Sequence, residues 1–265
     1  CCIRCHRTQP FHRIQPWDGS CFIPVSLKSL GLAIQLNHAG LHCSNPQPCH
    51  ASMLVLHINS IHDVSINYCS CSHALPQHIQ LLHCCLYPAS QLIVKTCATF
   101  DLLNLLHKLA LMMKALTYDF YRAIEKLLDN MGLNPPKPCY CSLFCMVLQW
   151  HHLKLLKWAG CGHDPLGAEG TVLGGLALCC PSCPHPGINL PEGWEHASLD
   201  TSYLYMQFIA MDANFRLKNQ LVLSYSQVPG LGISWAYMVP REHYEQFILS
   251  RMNDQDVSFL SCSFS

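Results

Sequence analysis

The chain has 265 residues, half of them hydrophobic and 12% charged, with 16 basic and 16 acidic residues that cancel to a formal net charge of zero. That is enough apolar material for one large domain or two small ones, and the neutral balance excludes a strongly basic nucleic-acid binder. Nineteen cysteines are an odd count. With a length above about 100 residues and no signal-peptide pattern, they argue against a secreted disulfide scaffold and for metal binding in a reducing compartment.

No stretch reaches the ~18 uncharged apolar residues of a membrane span. The longest candidate, Leu102–Leu116, is interrupted by His107, Lys108 and Lys114. Residues 1–22 are rich in Cys, His and Arg, with Pro10 and Pro16, and read as a loop-rich cluster. Leu27–Leu36 is expected to be a short strand and Asn37–His50 a loop containing Gly40, Pro46 and Pro48. Met53–Ile58 and Ile61–Tyr68 alternate apolar and polar residues around Asn59-Ser60, a hairpin signal. The second of these strands delivers Cys69 and Cys71 at its end.

Helical patterns follow. Pro76–Leu86 predicts a short helix. Phe100–Leu116 predicts a longer one, with Leu102, Leu103, Leu105, Leu106, Leu109, Met112 and Met113 at helical spacing. Tyr118–Met131 is a second amphipathic helix, with Asp119 near its start and Gly132 as its stop. Asn134-Pro-Pro-Lys-Pro138 reads as a linker, and Tyr140–Trp158 as a third long helix ended by Gly160. Residues 162–175 are a glycine-rich loop and Cys180-Pro-Ser-Cys183 a knuckle-like turn. Leu204–Ala210 is expected to be a buried strand running into Met211-Asp-Ala-Asn214, and Arg241–Arg251 a final helix. The start at Cys1 without methionine and the polar end at Ser265 suggest a piece of a longer protein.

The cysteines are most ordered between residues 43 and 71. Zinc takes four soft or borderline donors in a tetrahedron. Cys43, His62, Cys69 and Cys71 are the expected set, with His38 or Cys49 as a further contributor. The competing reading is that Cys69 and Cys71 are ordinary buried thiols. Cys2, His6 and His12 resemble half of a cross-brace zinc finger, or else a basic loop. Cys180 and Cys183 form a single Cys-x-x-Cys pair that Cys179 and His185 could complete. Cys141 and Cys145 share a helix face, and His151-His152 read as helix surface.

Asp212 is the catalytic candidate. A carboxylate just past a buried strand is where two-metal nucleases place a ligand, although such sites need several carboxylates. The competing reading is a turn started by Asp212 with Ala213-Asn214.

Many short blocks occur in an order that resembles one family. They are Leu30-Gly-Leu-Ala-Ile-Gln-Leu-Asn-His38, Ile61-His62, Cys69-x-Cys71, Tyr87-Pro-Ala-Ser90, Thr117-Tyr-Asp-Phe-Tyr121 and Trp158-Ala-Gly160. They continue with Cys180-Pro-Ser-Cys-Pro-His-Pro-Gly-Ile-Asn-Leu-Pro191, Met211-Asp-Ala-Asn-Phe-Arg-Leu-Lys-Asn219 and Trp235-Ala-Tyr237. Together they resemble the CxC-like cysteine-cluster domain associated with Kyakuja–Dileera–Zisupton (KDZ) transposases, running into the start of the transposase domain.

The resemblance implies a fungal DNA-transposon protein, nuclear, with structural Zn in its cysteine cluster. It also implies an RNase H-like core in which Asp212 is the first acidic ligand for Mg or Mn. The later acidic residues would lie beyond residue 265, because Glu242, Glu245, Asp254 and Asp256 follow Asp212 too closely. Transposition by metal-dependent phosphoryl transfer is then the ancestral role, and this copy is expected to be inactive. The resemblance further implies arginine where this chain has Cys near positions 5, 84 or 85, 139, 141, 145 and 161. Only seven arginines remain. Mutational loss of arginine to cysteine would weaken phosphate contacts and so DNA binding.

The expected fold is α+β: a small zinc-stabilised β cluster with helices over residues 1–133, a helical bridge over 134–176, and the first part of a truncated RNase H-like core over 177–265. DNA is the expected partner, weakened here, with no small-molecule substrate and no membrane. The rival function is a non-catalytic, zinc-dependent module that binds DNA or a protein.

Overall fold

The computed structural model describes residues 3–38, 42–132, 136–159, 165–172, 174–177, 180–206 and 241–251. The chain divides into two compact units, Cys1–Leu153 and Lys154–Ser265. No described helix is long and apolar enough to cross a membrane.

The first unit is α+β and carries two small sheets. One has three strands in the order β1-β5-β2, with β1 at Ala33–Gln35, β2 at Pro46–Pro48 and β5 at Ser65–Cys69. The other has four in the order β4-β3-β7-β6, with β3 at Leu54–His57, β4 at Ser60–Asp63, β6 at Leu86–Pro88 and β7 at Thr96–Thr99.

The hairpin expected around Asn59-Ser60 is present, with His57 opposite Ser60 across a two-residue turn. The strand expected over Ile61–Tyr68 is divided at Val64. Before it, Asp63 pairs with Leu54 of β3; after it, Ser65 pairs with Ala33 of β1. One run of alternating residues therefore serves two sheets, turning at a corner where Val64 is buried.

Three expectations change. Only Ala33–Gln35 of the expected strand Leu27–Leu36 is extended, because residues 27–31 close into turns such as Leu32 N–H to Leu27 C=O at 2.9 Å. The expected loop Asn37–His50 contains β2, despite two prolines. Asn45, Gln47 and Cys49 occupy the hydrogen-bonding positions of this antiparallel pair, so the nitrogens of Pro46 and Pro48 face away on an edge strand. The strands β6 and β7 were hidden by their shortness: β7 pairs with β3 in parallel and β6 with β7 antiparallel.

The helices follow their periodicity. They are α1 at Gln77–His83, α2 at Phe100–Met113, α3 at Thr117–Leu128 and α4 at Tyr140–Trp158. The Thr99 hydroxyl caps α2 by accepting from Leu102 N–H at 3.3 Å, and Lys114 ends it in the left-handed region.

Two cores result. One lies on the helix side of the four-stranded sheet, where Leu56 and Ile61 meet Leu102, Leu106, Ile124, Leu143, Met146 and Trp150. The other joins Met53, Val55, Ile66, Tyr68, Leu81 and Leu86, and so fixes β5 against α1.

The described part of the second unit contains 3-10 turns at Gly167–Gly170, Trp194–His196 and Ser202–Tyr205, and α5 at Arg241–Arg251, as expected for the last helix. The expected strand Leu204–Ala210 begins instead in a 3-10 turn, and its later residues lie outside the described ones.

Candidate metal centre

Three chain segments reach the same end of the three-stranded sheet. β1 runs parallel to β5, so the residues after Gln35 and those after Asn67 emerge together. β2 runs antiparallel and begins opposite Cys69, so Cys43, just before it, arrives there too. Asn37 turns the chain in the left-handed region at φ 63°, which asparagine tolerates, and hands His38 to the cluster.

The result is a group of four donors, His38, Cys43, Cys69 and Cys71, whose ligand atoms all lie within 4.8 Å of one another. His38 Nε2 is 3.2 Å from Cys69 Sγ and 3.9 Å from Cys71 Sγ, and Cys43 Sγ is 3.7 Å from Cys71 Sγ. Cys43 and Cys69 are buried and the other two half-buried. This Cys/His cluster could hold a metal ion. Among the described residues no second group of three or more such donors converges.

The shell around the cluster holds it in shape. Gln80, on α1, is 1% exposed. Its Oε1 accepts the Cys69 backbone N–H at 2.8 Å, and its Nε2 donates to the Cys69 carbonyl at 2.9 Å and to Leu75 C=O at 2.6 Å. One carboxamide thus saturates both backbone groups of a metal-candidate residue. Asn45 ties the opposite strand to the same corner by donating to Ser70 C=O at 2.8 Å.

The thiols are electrically unequal. Hydrogen bonding from Ser44 Oγ, 3.5 Å away, and then from Cys69 and Cys43, draws Cys71 down to about 6. At Cys69 the Cys71 backbone N–H pulls downward, but desolvation and the Cys71 and Cys43 thiols outweigh it, and the thiol is raised. Since the thiolate is the ligand, the hydrogen bond from Ser44 favours the ligating form of Cys71.

The other candidates are placed as follows. His62 stands apart from the cluster: its Nε2 is 2.7 Å from Asn59 Oδ1, and its ring lies 5.6 Å from that of Phe11 and 6.2 Å from that of His57. Burial, then the charges of His57 and Arg13, push its pKa down to about 4. Cys49 also lies elsewhere, accepting Ile66 N–H at 3.2 Å. His6 and His12 come together with Nδ1 atoms 3.0 Å apart, while Cys2 lies outside the described residues.

Cys180 and Cys183 form the expected turn, with Cys183 N–H to Cys180 C=O at 3.1 Å. A hydrogen bond from the Cys183 thiol lowers the Cys180 thiol and raises that of Cys183. His185 Nε2 is turned to the Cys180 carbonyl at 2.8 Å, and Cys179 lies outside the described residues. Asp212 also lies outside them.

Sequence reasoning missed Gln80 and Ser44. The signal for Gln80 was a polar residue inside the apolar run Ile79–Leu82 of a short helix. Ser44 carried no signal beyond its place next to Cys43.

No curated protein and no solved structure gives a significant match. Residues 27–132, which contain the whole four-donor cluster, match the family model of the CxC2 like cysteine cluster associated with KDZ transposases.

Proposed function

We propose that the chain belongs to a transposon-related protein and that its CxC2 segment is a zinc-held interaction module, with Cys43, Cys69 and Cys71 as thiolate ligands and His38 as the imidazole ligand. One observation carries this reading: the spacing of the donors. A tetrahedral Zn2+ with Zn–S of about 2.3 Å and Zn–N of about 2.0–2.1 Å has edges of about 3.8 Å between sulfurs and about 3.6 Å between nitrogen and sulfur. The cluster has 3.7 Å for Cys43 to Cys71, and 3.2 and 3.9 Å for His38 to the sulfurs of Cys69 and Cys71.

Four protein donors leave no open position for water or substrate, which makes the site structural rather than catalytic. Metal binding is then folding free energy for the corner where β1, β2 and β5 meet. His6 with His12, and Cys180 with Cys183, are pairs that would need further donors to hold an ion.

The segment 134–176 is read as a helical bridge and 177–265 as the first part of an RNase H-like transposase domain, in a fungal, nuclear protein. There Asp212 would be a ligand for Mg or Mn, supported by the motif order on either side of it. Because two-metal chemistry needs several carboxylates, this chain by itself is expected neither to cut nor to join DNA. Its neutral charge implies weak DNA contact with a shallow salt dependence. Cys5, Cys84, Cys85 and Cys141 are exposed, as residues that replaced surface arginines would be, whereas Cys145 is half-buried and Cys139 is buried, which does not fit that origin.

The closed four-donor set favours a module that binds DNA or a protein without chemistry of its own. Metal analysis of the full chain purified under reducing conditions tests the first claim: one zinc is expected for this cluster, with loss of the metal on Cys69→Ser or Cys71→Ser. A metal-free chain with an unchanged thermal melt refutes it. Nuclease and strand-transfer assays with Mg or Mn are expected to show no activity for this chain. Activity that Asp212→Ala abolishes would overturn the binding module.

A further inference from the structure

β4 is the edge of the four-stranded sheet. Ser60 lies opposite His57 and His62 opposite Val55, and Val64 donates to Met53 C=O at 3.1 Å. In an antiparallel pair the hydrogen-bonded positions alternate, so Ser60, His62 and Val64 bond to β3 while the N–H and C=O of Ile61 and Asp63 point outward. Among the described residues no backbone group outside the sheet pairs with them. Ile61 is only 4% exposed, so its outward groups face a wall rather than bulk water.

That wall belongs to a groove of about 500 Å3, lined by all of β4 together with residues that include Arg13, Val25 and Lys137. The Ser60 hydroxyl, on a residue 1% exposed, lines it without a hydrogen-bond partner. Buried polar groups are normally partnered, and these share one cavity.

The charge in the groove is positive. Arg13, held in place by the Leu127 and Leu128 carbonyls, and Lys137 line it against a single carboxylate, Asp63, which Lys28 neutralises at 2.6 Å. Ile61 and Asp63 are two residues apart on one strand, about 6.6 Å, which is the repeat of an extended peptide.

We propose that this groove binds an extended, acidic peptide segment that adds to β4 as a fifth strand. Its backbone pairs with Ile61 and Asp63, and its carboxylates meet Arg13 and Lys137. The inference is independent of the metal reading, because no cluster donor lines the groove.

The probe is a dye-labelled Glu-Val-Glu-Val-Glu peptide with blocked ends, titrated into the full chain by fluorescence polarisation. Strand addition uses alternate amides. N-methylation of one alternate set, either the valines or the glutamates, therefore weakens binding at least about tenfold, and methylation of the other set leaves it unchanged. Lys137→Glu weakens it about fivefold or more. Hydrogen exchange at the Ile61 and Asp63 amides slows on binding.

Equal binding of both methylated peptides or of a lysine-for-glutamate peptide overturns the proposal. So does no binding at about 1 mM peptide. Self-association of the protein that the peptide does not displace would assign the edge to a second copy instead, and would overturn it too.

Discussion

Replacing Gln80 with leucine keeps most of the side-chain volume of a residue that is 1% exposed, but deletes three hydrogen bonds of 2.6–2.9 Å. It leaves the Cys69 N–H and two carbonyls without partners. Cys69 is itself buried, and its register partner Pro46 sits at a non-hydrogen-bonding position, so β2 offers no substitute. An unsatisfied buried group costs about 1–3 kcal/mol, and carbonyls relax more easily than N–H groups, which puts the total at about 2–4 kcal/mol.

Where the metal-free corner is already loose, this cost is borne by the metal-bound state alone and appears as lost affinity, about 30- to 1000-fold weaker for zinc. Competition with a chromophoric chelator measures the affinity, and the visible absorption of the cobalt-substituted protein reports ligand geometry. Gln80→Glu should not rescue it, because the carboxylate cannot donate to the Cys69 carbonyl and adds a negative charge beside thiolates. A Gln80→Leu protein with zinc affinity within about twofold of the parent and an identical cobalt spectrum would refute the clamp, since about 2 kcal/mol corresponds to more than tenfold.

Three further outcomes are expected. His38→Ala should lose the metal while His62→Ala retains it, as read by metal content after desalting; the reverse result would put His62 in the site. Acid should destabilise the first unit: His62 is depressed from 6.5 to about 4, so between those values the unfolded chain binds the extra proton. Stability then falls by up to about 3 kcal/mol as pH drops through that window. His62→Phe should flatten this dependence in urea melts at a series of pH values, and an unchanged slope would show that other groups carry it. Tyr121→Phe removes the oxygen that accepts Cys139 N–H at 3.1 Å at the start of α4, and should cost about 1–2 kcal/mol, read as a lower denaturation midpoint.

The helices were legible because their information is local. α4 runs over Tyr140–Trp158 as its pattern indicates, and α2 has a hydroxyl cap and a left-handed end within its own segment. The strands were legible only where alternation was long enough to see. Pro46-Gln-Pro48 carries no strand signal, and it is extended because β5 offers it an edge at a register that spares both prolines.

The candidate site divides along the same line. The chain by itself determined Cys69 and Cys71, because a Cys-x-Cys at the end of an alternating run keeps two sulfurs close whatever the rest does. It also determined the composition that makes a metal cluster plausible and a basic DNA-binding surface implausible. Which histidine joins those sulfurs was a tertiary decision. His38 follows β1 and His62 lies within β4, and the alternating run that leads from His62 to Cys69 pointed to the wrong one of the two for this cluster. The parallel pairing of β1 with β5 carries His38 to within 3.2 Å of Cys69, while β3 holds His62 in the other sheet beside Asn59. Gln80 is the same lesson at one remove: its role exists only because the second core packs α1 against β5, which brings together two residues 11 apart along the chain.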